Sequence, residues 1–86
     1  MLLSIIEIRN RMLNCLPDSV VSVTFVGDED VQLTWEFMEV SVNGTWRHRN
    51  HIVTVPIHSI SAGSRSFERT MHKAKRFLKH GGGKND

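Results

Sequence analysis

Between residues 65 and 80 the chain sets Arg65, Arg69, His72, Lys73, Arg76, Lys79 and His80 at helical spacing, with Lys75 at the margin and Glu68 as the single acid. At 3.6 residues per turn most of these side chains fall on one side of a helix, opposite Phe67, Met71, Ala74 and Leu78. Like charges three or four apart, such as Arg69 with Lys73 or Arg76 with Lys79, repel by about 0.2–0.5 kcal/mol per pair, a cost that an anionic ligand relieves. Phosphate is such a ligand. Each phosphate neutralised releases a condensed counterion, so about four or five contacts make binding steeply salt-dependent. The competing reading is a solvated face that keeps the chain soluble.

A second basic segment, Trp46-Arg47-His48-Arg49-Asn50-His51, sets an aromatic ring among cations beside a hairpin turn. Such a group stacks a base or holds Arg47 against a phosphate. In the plainer alternative, Trp46 covers one end of the core and Arg49 pairs with Glu39.

Other chemistry finds little support. His48 and His51 are three apart in a strand and so point to opposite faces, and Cys15 has no ligand spacing around it, so no metal is expected. A single His titrates near neutrality, but no acid–base partner is evident in the sequence. Gly81-Gly82-Gly83 follows a helix instead of opening one, which is the wrong end of the dipole for an anion. No cofactor motif is present, and no catalytic set is assigned.

Length and composition agree with a small binding domain. The 86 residues are 40% hydrophobic and 23% charged, which is globular composition on a chain with room for one domain and a modest core. Two Trp, four Phe and one Cys speak against both low-complexity disorder and a disulfide scaffold. The net charge of +2 hides a dipole: residues 1–43 carry two basic and seven acidic side chains, whereas residues 44–86 carry nine basic, two acidic and all five His. Such asymmetry points to nucleic acid, an anionic surface or an acidic partner, or to pairing of one half with the other. The apolar start Met1–Ile6 lacks a basic lead and a cleavage site, no stretch is long enough to span a membrane, and the lone Cys fits a reducing compartment. A cytoplasmic location is expected.

The positioning elements follow from periodicity. Leu2, Ile5, Ile6, Met12, Leu13 and Leu16 recur at helical spacing, with Glu7 and Arg11 as an i, i+4 pair and Pro17 as the stop. Arg9 projects onto the middle of that stripe, which makes it either a snorkelling stem or part of an open contact surface. Residues 19–26 alternate Val21, Val23 and Phe25 with Ser22 and Thr24, as a half-buried strand does, and Gly27-Asp28-Glu29-Asp30 turns the chain. Val31, Leu33, Trp35 and Phe37 give a second strand, and Asn43-Gly44 signals a hairpin to a third strand that runs through Ile57. A strict two-residue turn would set Val53, Val55 and Ile57 opposite Thr34, Gln32 and Asp30. One bulged residue sets Trp35 opposite Val53, Leu33 opposite Val55, Val31 opposite Ile57 and Glu39 opposite Arg49, and this register is expected. Pro56 marks the third strand as an edge. After the loop Ser61–Ser64 a helix is expected over about residues 66–80, capped by Ser64 or Ser66. The expected fold is therefore α+β, a two-layer sandwich in the order α-β-β-β-α, in which two helices pack a three-stranded antiparallel sheet. It occupies residues 1–80 as one domain, followed by a disordered Gly-rich tail, 81–86.

That order, with its basic last helix, resembles the double-stranded-RNA-binding fold, and Val53-Thr54-Val55-Pro56-Ile57-His58 resembles the strand ending in Pro and His of the HicA-type toxins, small ribonucleases of that fold. The resemblance spans these six residues and implies RNA as the partner. In the toxins a catalytic His follows a Gly-Ser pair; here Gly44-Thr45-Trp46 stands at that place, and His48 lies two residues further on. The lysine-rich start of the last helix in double-stranded-RNA-binding domains is replaced by Ser64-Arg65-Ser66.

The expected function is a small non-enzymatic regulatory or accessory module. It engages an anionic partner, nucleic acid before acidic protein, through Arg47, Arg65, Arg69, Lys73, Arg76, Lys79 and Trp46. One alternative is a protein that modulates a protein partner through the first helix around Arg9 or through a sheet edge. A further alternative is a ribonuclease of the toxin type that uses His48 or His58.

Overall fold

Alternating apolar residues give a sheet one greasy face, and two amphipathic stripes cover it. The computed structural model describes residues 3–61 and 63–79. Helix α1 is Ile5–Cys15, strands β1, β2 and β3 are Val20–Val26, Asp30–Val40 and Trp46–Pro56, a 3-10 turn covers Ile57–Ser59, and helix α2 is Arg65–Lys79. The strands form one antiparallel sheet in the order β1-β2-β3, so the α+β order α-β-β-β-α holds. The expected Gly-rich tail, His80 and the Leu2 end of the first stripe lie outside the described residues.

Local chemistry sets the helix boundaries. Ser4 accepts from the Glu7 N–H at 3.2 Å while the Glu7 carboxylate accepts from the Ser4 N–H at 2.8 Å, a reciprocal capping box that starts α1 at Ile5. Helix α2 is capped by Ser64, whose hydroxyl accepts from the Phe67 N–H at 3.3 Å, and Ser66 lies inside the helix.

One contiguous core forms. It joins Ile8, Met12 and Cys15 of α1, Val21, Val31, Leu33, Trp35 and Val55 of the sheet, Ile60, and Phe67, Met71, Ala74 and Leu78 of α2. Trp35 is fully buried, and its indole N–H donates to the Met12 carbonyl at 2.8 Å, which ties the central strand to α1. The buried row of α1 is Ile8-Met12-Cys15, not the row expected through Ile5 and Ile6, which are exposed. Arg9 therefore sits on the solvent side and needs neither a partner nor a snorkelling stem. The helix has turned so that the ring of Trp35 meets Met12, a constraint carried by a residue 23 positions away.

The hairpin register also differs from the expected one. Val31 faces Val55, Leu33 faces Val53, Trp35 faces His51 and Glu39 faces Arg47. Asn43 does not take a positive φ, which a two-residue type I′ turn would require of it, whereas Gly44 has φ +84°. The loop is Val42-Asn43-Gly44, closed by Gly44 N–H to Ser41 O at 3.0 Å and Ser41 N–H to Thr45 O at 2.8 Å. The extra loop residue is thus taken before Asn43 and not after Gly44. That shifts the pairing by two, which preserves the faces and changes every partner. Ile57 leaves the strand for the 3-10 turn. Arg49 still reaches Glu39, at 2.5 Å, but along the diagonal.

Replacing Trp35 by Phe removes the only side-chain donor to the Met12 carbonyl among the described residues and leaves a gap beside it. The expected cost is about 2–4 kcal/mol, read as a melting temperature lowered by more than about 8 °C with the same far-UV circular dichroism at low temperature.

Candidate nucleic-acid interface

With Phe67, Met71, Ala74 and Leu78 facing the core, the opposite side of α2 turns Arg65, Arg69, His72, Lys73, Arg76 and Lys79 to solvent. An α-helix rises 1.5 Å per residue, so Arg65, Arg69 and Lys73 follow one another about 6 Å apart along the axis. Among the described residues none of these cations forms an ion pair. The lone acid of the helix, Glu68, is taken up by Arg11 of α1. The Arg11 guanidinium also lies over the Phe67 ring, 5.7 Å from its centroid. The hydrogen bond from Arg11 holds the Glu68 carboxyl below its usual value, and the same bond raises Arg11. The expected Glu7–Arg11 pair gives way to this arrangement, because the Glu7 carboxylate is engaged at the Ser4 backbone, whose hydrogen bond lowers its pKa. The cationic face is thereby left without an internal counter-charge on its own helix.

The second basic segment divides between the two faces of the sheet. Successive side chains of a strand alternate, so Arg47, Arg49 and His51 share the side of the helices, and Trp46, His48 and Asn50 lie on the open side. Arg47 is exposed and faces Glu39, whose carboxylate binds Arg49. It stands on the same side of the sheet as α2. Trp46, 63% exposed, stands on the other side beside Val40, so it neither covers the core nor joins the basic helix in one surface. Of the seven residues singled out as an anion site, Arg47, Arg65, Arg69, Lys73, Arg76 and Lys79 share a side and Trp46 does not.

The histidines fall in separate places. His48 Nε2 lies 3.8 Å from Glu36 Oε1, beyond hydrogen-bond distance, with both side chains largely exposed. His58, on the 3-10 turn, lines an open crease with Asp28, Glu29, Asp30, Pro56, Ile57 and Ser61. No group of three or more His, Cys, Asp or Glu side chains among the described residues is placed to hold a metal ion. Cys15 is buried between the helices, its Sγ 3.5 Å from the carbonyls of Arg11 and Met71, and burial raises its thiol pKa, which disfavours the nucleophilic thiolate. No helix among the described residues is long and apolar enough to cross a membrane.

Two participants carry no sequence signal. Arg11 controls the charge of α2 from 57 positions away, and His51 stacks on Phe77 at 4.5 Å between centroids and tilts toward Trp35 at 5.6 Å, joining β3 to α2. Burial pushes the His51 pKa below the ordinary 6.5, so the folded protein binds its proton less readily than the unfolded chain. Stability from this residue is complete above pH 6.5 and declines as the pH falls through 6.5 toward the folded value. The melting temperature is expected to drop between pH 7 and pH 5, and His51→Phe, which keeps the ring against Phe77, is expected to flatten that drop. Thermal melts at a series of pH values measure both. Comparison with family models, with curated proteins and with solved structures finds no match to this chain.

Proposed function

We propose that the chain is a non-enzymatic nucleic-acid-binding module that grips phosphates with the outer face of α2. The observation that carries this reading is the row Arg65, Arg69, Lys73, Arg76 and Lys79, exposed and without ion pairs among the described residues, while Glu68 is withdrawn to Arg11. Cations concentrated in this way repel one another, and a polyanion relieves the repulsion and releases its own counterions. Arg47, on the same side of the sheet, extends the surface. Contacts of this kind are made to the backbone and carry little sequence preference. The module acts by occupying nucleic acid, as a regulatory or accessory protein does.

A second reading keeps one specific support. Ile5 and Ile6 are exposed on α1 next to Arg9, with Ile6 at 72%, which is an apolar patch with a cation beside it of the sort that docks a protein partner. Ribonuclease action through His48 or His58 gains no comparable support, since each stands on a different part of the surface from α2.

Fluorescence anisotropy of labelled duplex RNA, duplex DNA and single-stranded RNA at two salt concentrations tests the proposal. Binding is expected to weaken steeply with salt. Changing Arg69, Lys73 and Arg76 together to Glu is expected to lower affinity by at least about a hundredfold and to reduce the slope of log K against log salt by about 3, with the melting temperature little changed. Absence of binding at low salt, or binding unaffected by the triple change, removes the proposal. Retained partner capture that is lost on Arg9→Glu supports the second reading instead.

A further inference from the structure

Strand β3 closes one side of the sheet with an edge of 11 residues, paired to β2 in one unbroken register. The bonds at the two ends of that ladder define which backbone groups face outward. Ser41 N–H donates to Thr45 O and Ile57 N–H donates to Glu29 O, each at 2.8 Å. Antiparallel bonds alternate along a strand, so the odd-numbered residues of β3 bond to β2. The even-numbered ones, Trp46, His48, Asn50, Ile52 and Thr54, turn N–H and C=O away from the sheet. Pro56, next in the series, has no N–H and ends the row. The opposite edge is poorer, since by the same alternation β1 turns out only Val21, Val23 and Phe25.

A long, regular edge is a template for another strand, and proteins commonly blunt such edges with a bulge, a lysine or a proline within the row. The β3 edge has no bulge, lysine or proline between Trp46 and Val55, and its two charges, Arg47 and Arg49, lie on the helix side, off the outward row, where Arg49 is bound by Glu39. Its outward residues are centred on Asn50. A second β3 laid antiparallel, Asn50 opposite Asn50, therefore uses every one of them: Trp46 meets Thr54, His48 meets Ile52 and the two Asn50 residues meet each other, each pair exchanging both bonds. Sliding the strand by two residues in either direction discards a full pair.

The side chains suit the same register. On the open face Trp46, 63% exposed, comes diagonal to Ile52 of the second copy, itself half exposed, so two apolar groups that face water in the single chain cover each other. On the helix side Arg47 faces Val53 and Arg49 faces His51; Arg49 comes diagonal to Arg49 of the second copy, and each is held by the Glu39 of its own chain. Helix α2 lies over this edge through the Phe77–His51 stack, and the flank it turns there carries Ser66, Thr70, Lys73 and Phe77, with Lys73 the single cation. The more crowded cations of α2 point up or toward α1.

We propose that the protein pairs with a second copy of itself through β3, joining the two sheets into one continuous sheet centred on Asn50. The two-fold axis stands perpendicular to that sheet, so both α2 helices lie on the same side and their basic faces form one extended surface. The pairing itself does not depend on nucleic acid.

Sedimentation equilibrium of the full chain is expected to give twice the 9.8 kDa chain mass at micromolar concentrations. Asn50→Pro removes an N–H that β2 does not use, and is expected to give the single-chain mass with unchanged far-UV circular dichroism. Asn50→Lys sets two ammonium groups at the two-fold axis without altering the backbone, and is expected to do the same if the proline variant fails to fold. Amide exchange at His48 and Ile52 is expected to be at least about tenfold faster in the Lys variant than in the native protein. A native protein of single-chain mass throughout, a dimer that survives both substitutions, or open-ended association overturns the proposal. The Arg69, Lys73 and Arg76 triple variant is expected to remain dimeric whether or not it binds nucleic acid, so the two proposals fail separately.

Discussion

The buried Trp35 side chain is the constraint on which the rest of the molecule depends. It is the largest fully buried residue, it sits on the central strand, and its indole N–H reaches the Met12 carbonyl at 2.8 Å. A buried indole without a partner costs as much as a broken hydrogen bond, so α1 must present a carbonyl at that spot, and its rotation about its own axis follows. That rotation buries Ile8, Met12 and Cys15, and it leaves Ile5, Ile6 and Arg9 outside. His51, opposite Trp35 on β3, passes the contact on to Phe77 and so to α2. Both helices are thus referred to one ring.

A second consequence concerns charge. The acidic first half and the basic second half do not neutralise each other as blocks. Three acids gather at the β1–β2 turn, Asp28, Glu29 and Asp30, while Arg11 crosses from the acidic half to take Glu68, the one acid of the basic helix. The pair is partly exposed and contributes little to stability. Its larger effect is on the surface, where it removes the local counter-charge from α2 and leaves a uniformly cationic face. The same contact that fastens α1 to α2 thereby sharpens the potential toward a polyanion.

Much of the fold was legible in the sequence because periodicity is a local property. The stripe Phe67-Met71-Ala74-Leu78, the alternation in β2, the Ser64 cap and the chain order all follow from spacing within a few residues and appear in the structure. In β1 the alternation stops at Val23, and Phe25, expected on the apolar face, is 58% exposed at the strand's end. The capping box of Ser4 and Glu7 was equally available as a Ser-x-x-Glu pattern, and it sets the start of α1 better than the apolar spacing does. The hairpin was harder. Asn-Gly suits both a type I′ turn and the last two positions of a type I turn with a left-handed glycine, and the choice depends on how the strands twist and pack. A two-residue slip keeps each side chain on its face, so patterning alone does not distinguish the two registers.

The sequence by itself determined the element types, the apolar stripe of α2 and its cationic face, since each rests on neighbours at short range. Only the tertiary structure decided which partners those faces meet. It separated Trp46 from Arg47, which adjacency in sequence had grouped, because neighbours in a strand point to opposite sides of the sheet. It brought Arg11 to Glu68 and His51 to Phe77, because such contacts depend on helix rotation and strand register. Those two variables are settled by packing around Trp35, summed over residues far apart in the chain, and no local pattern encodes them.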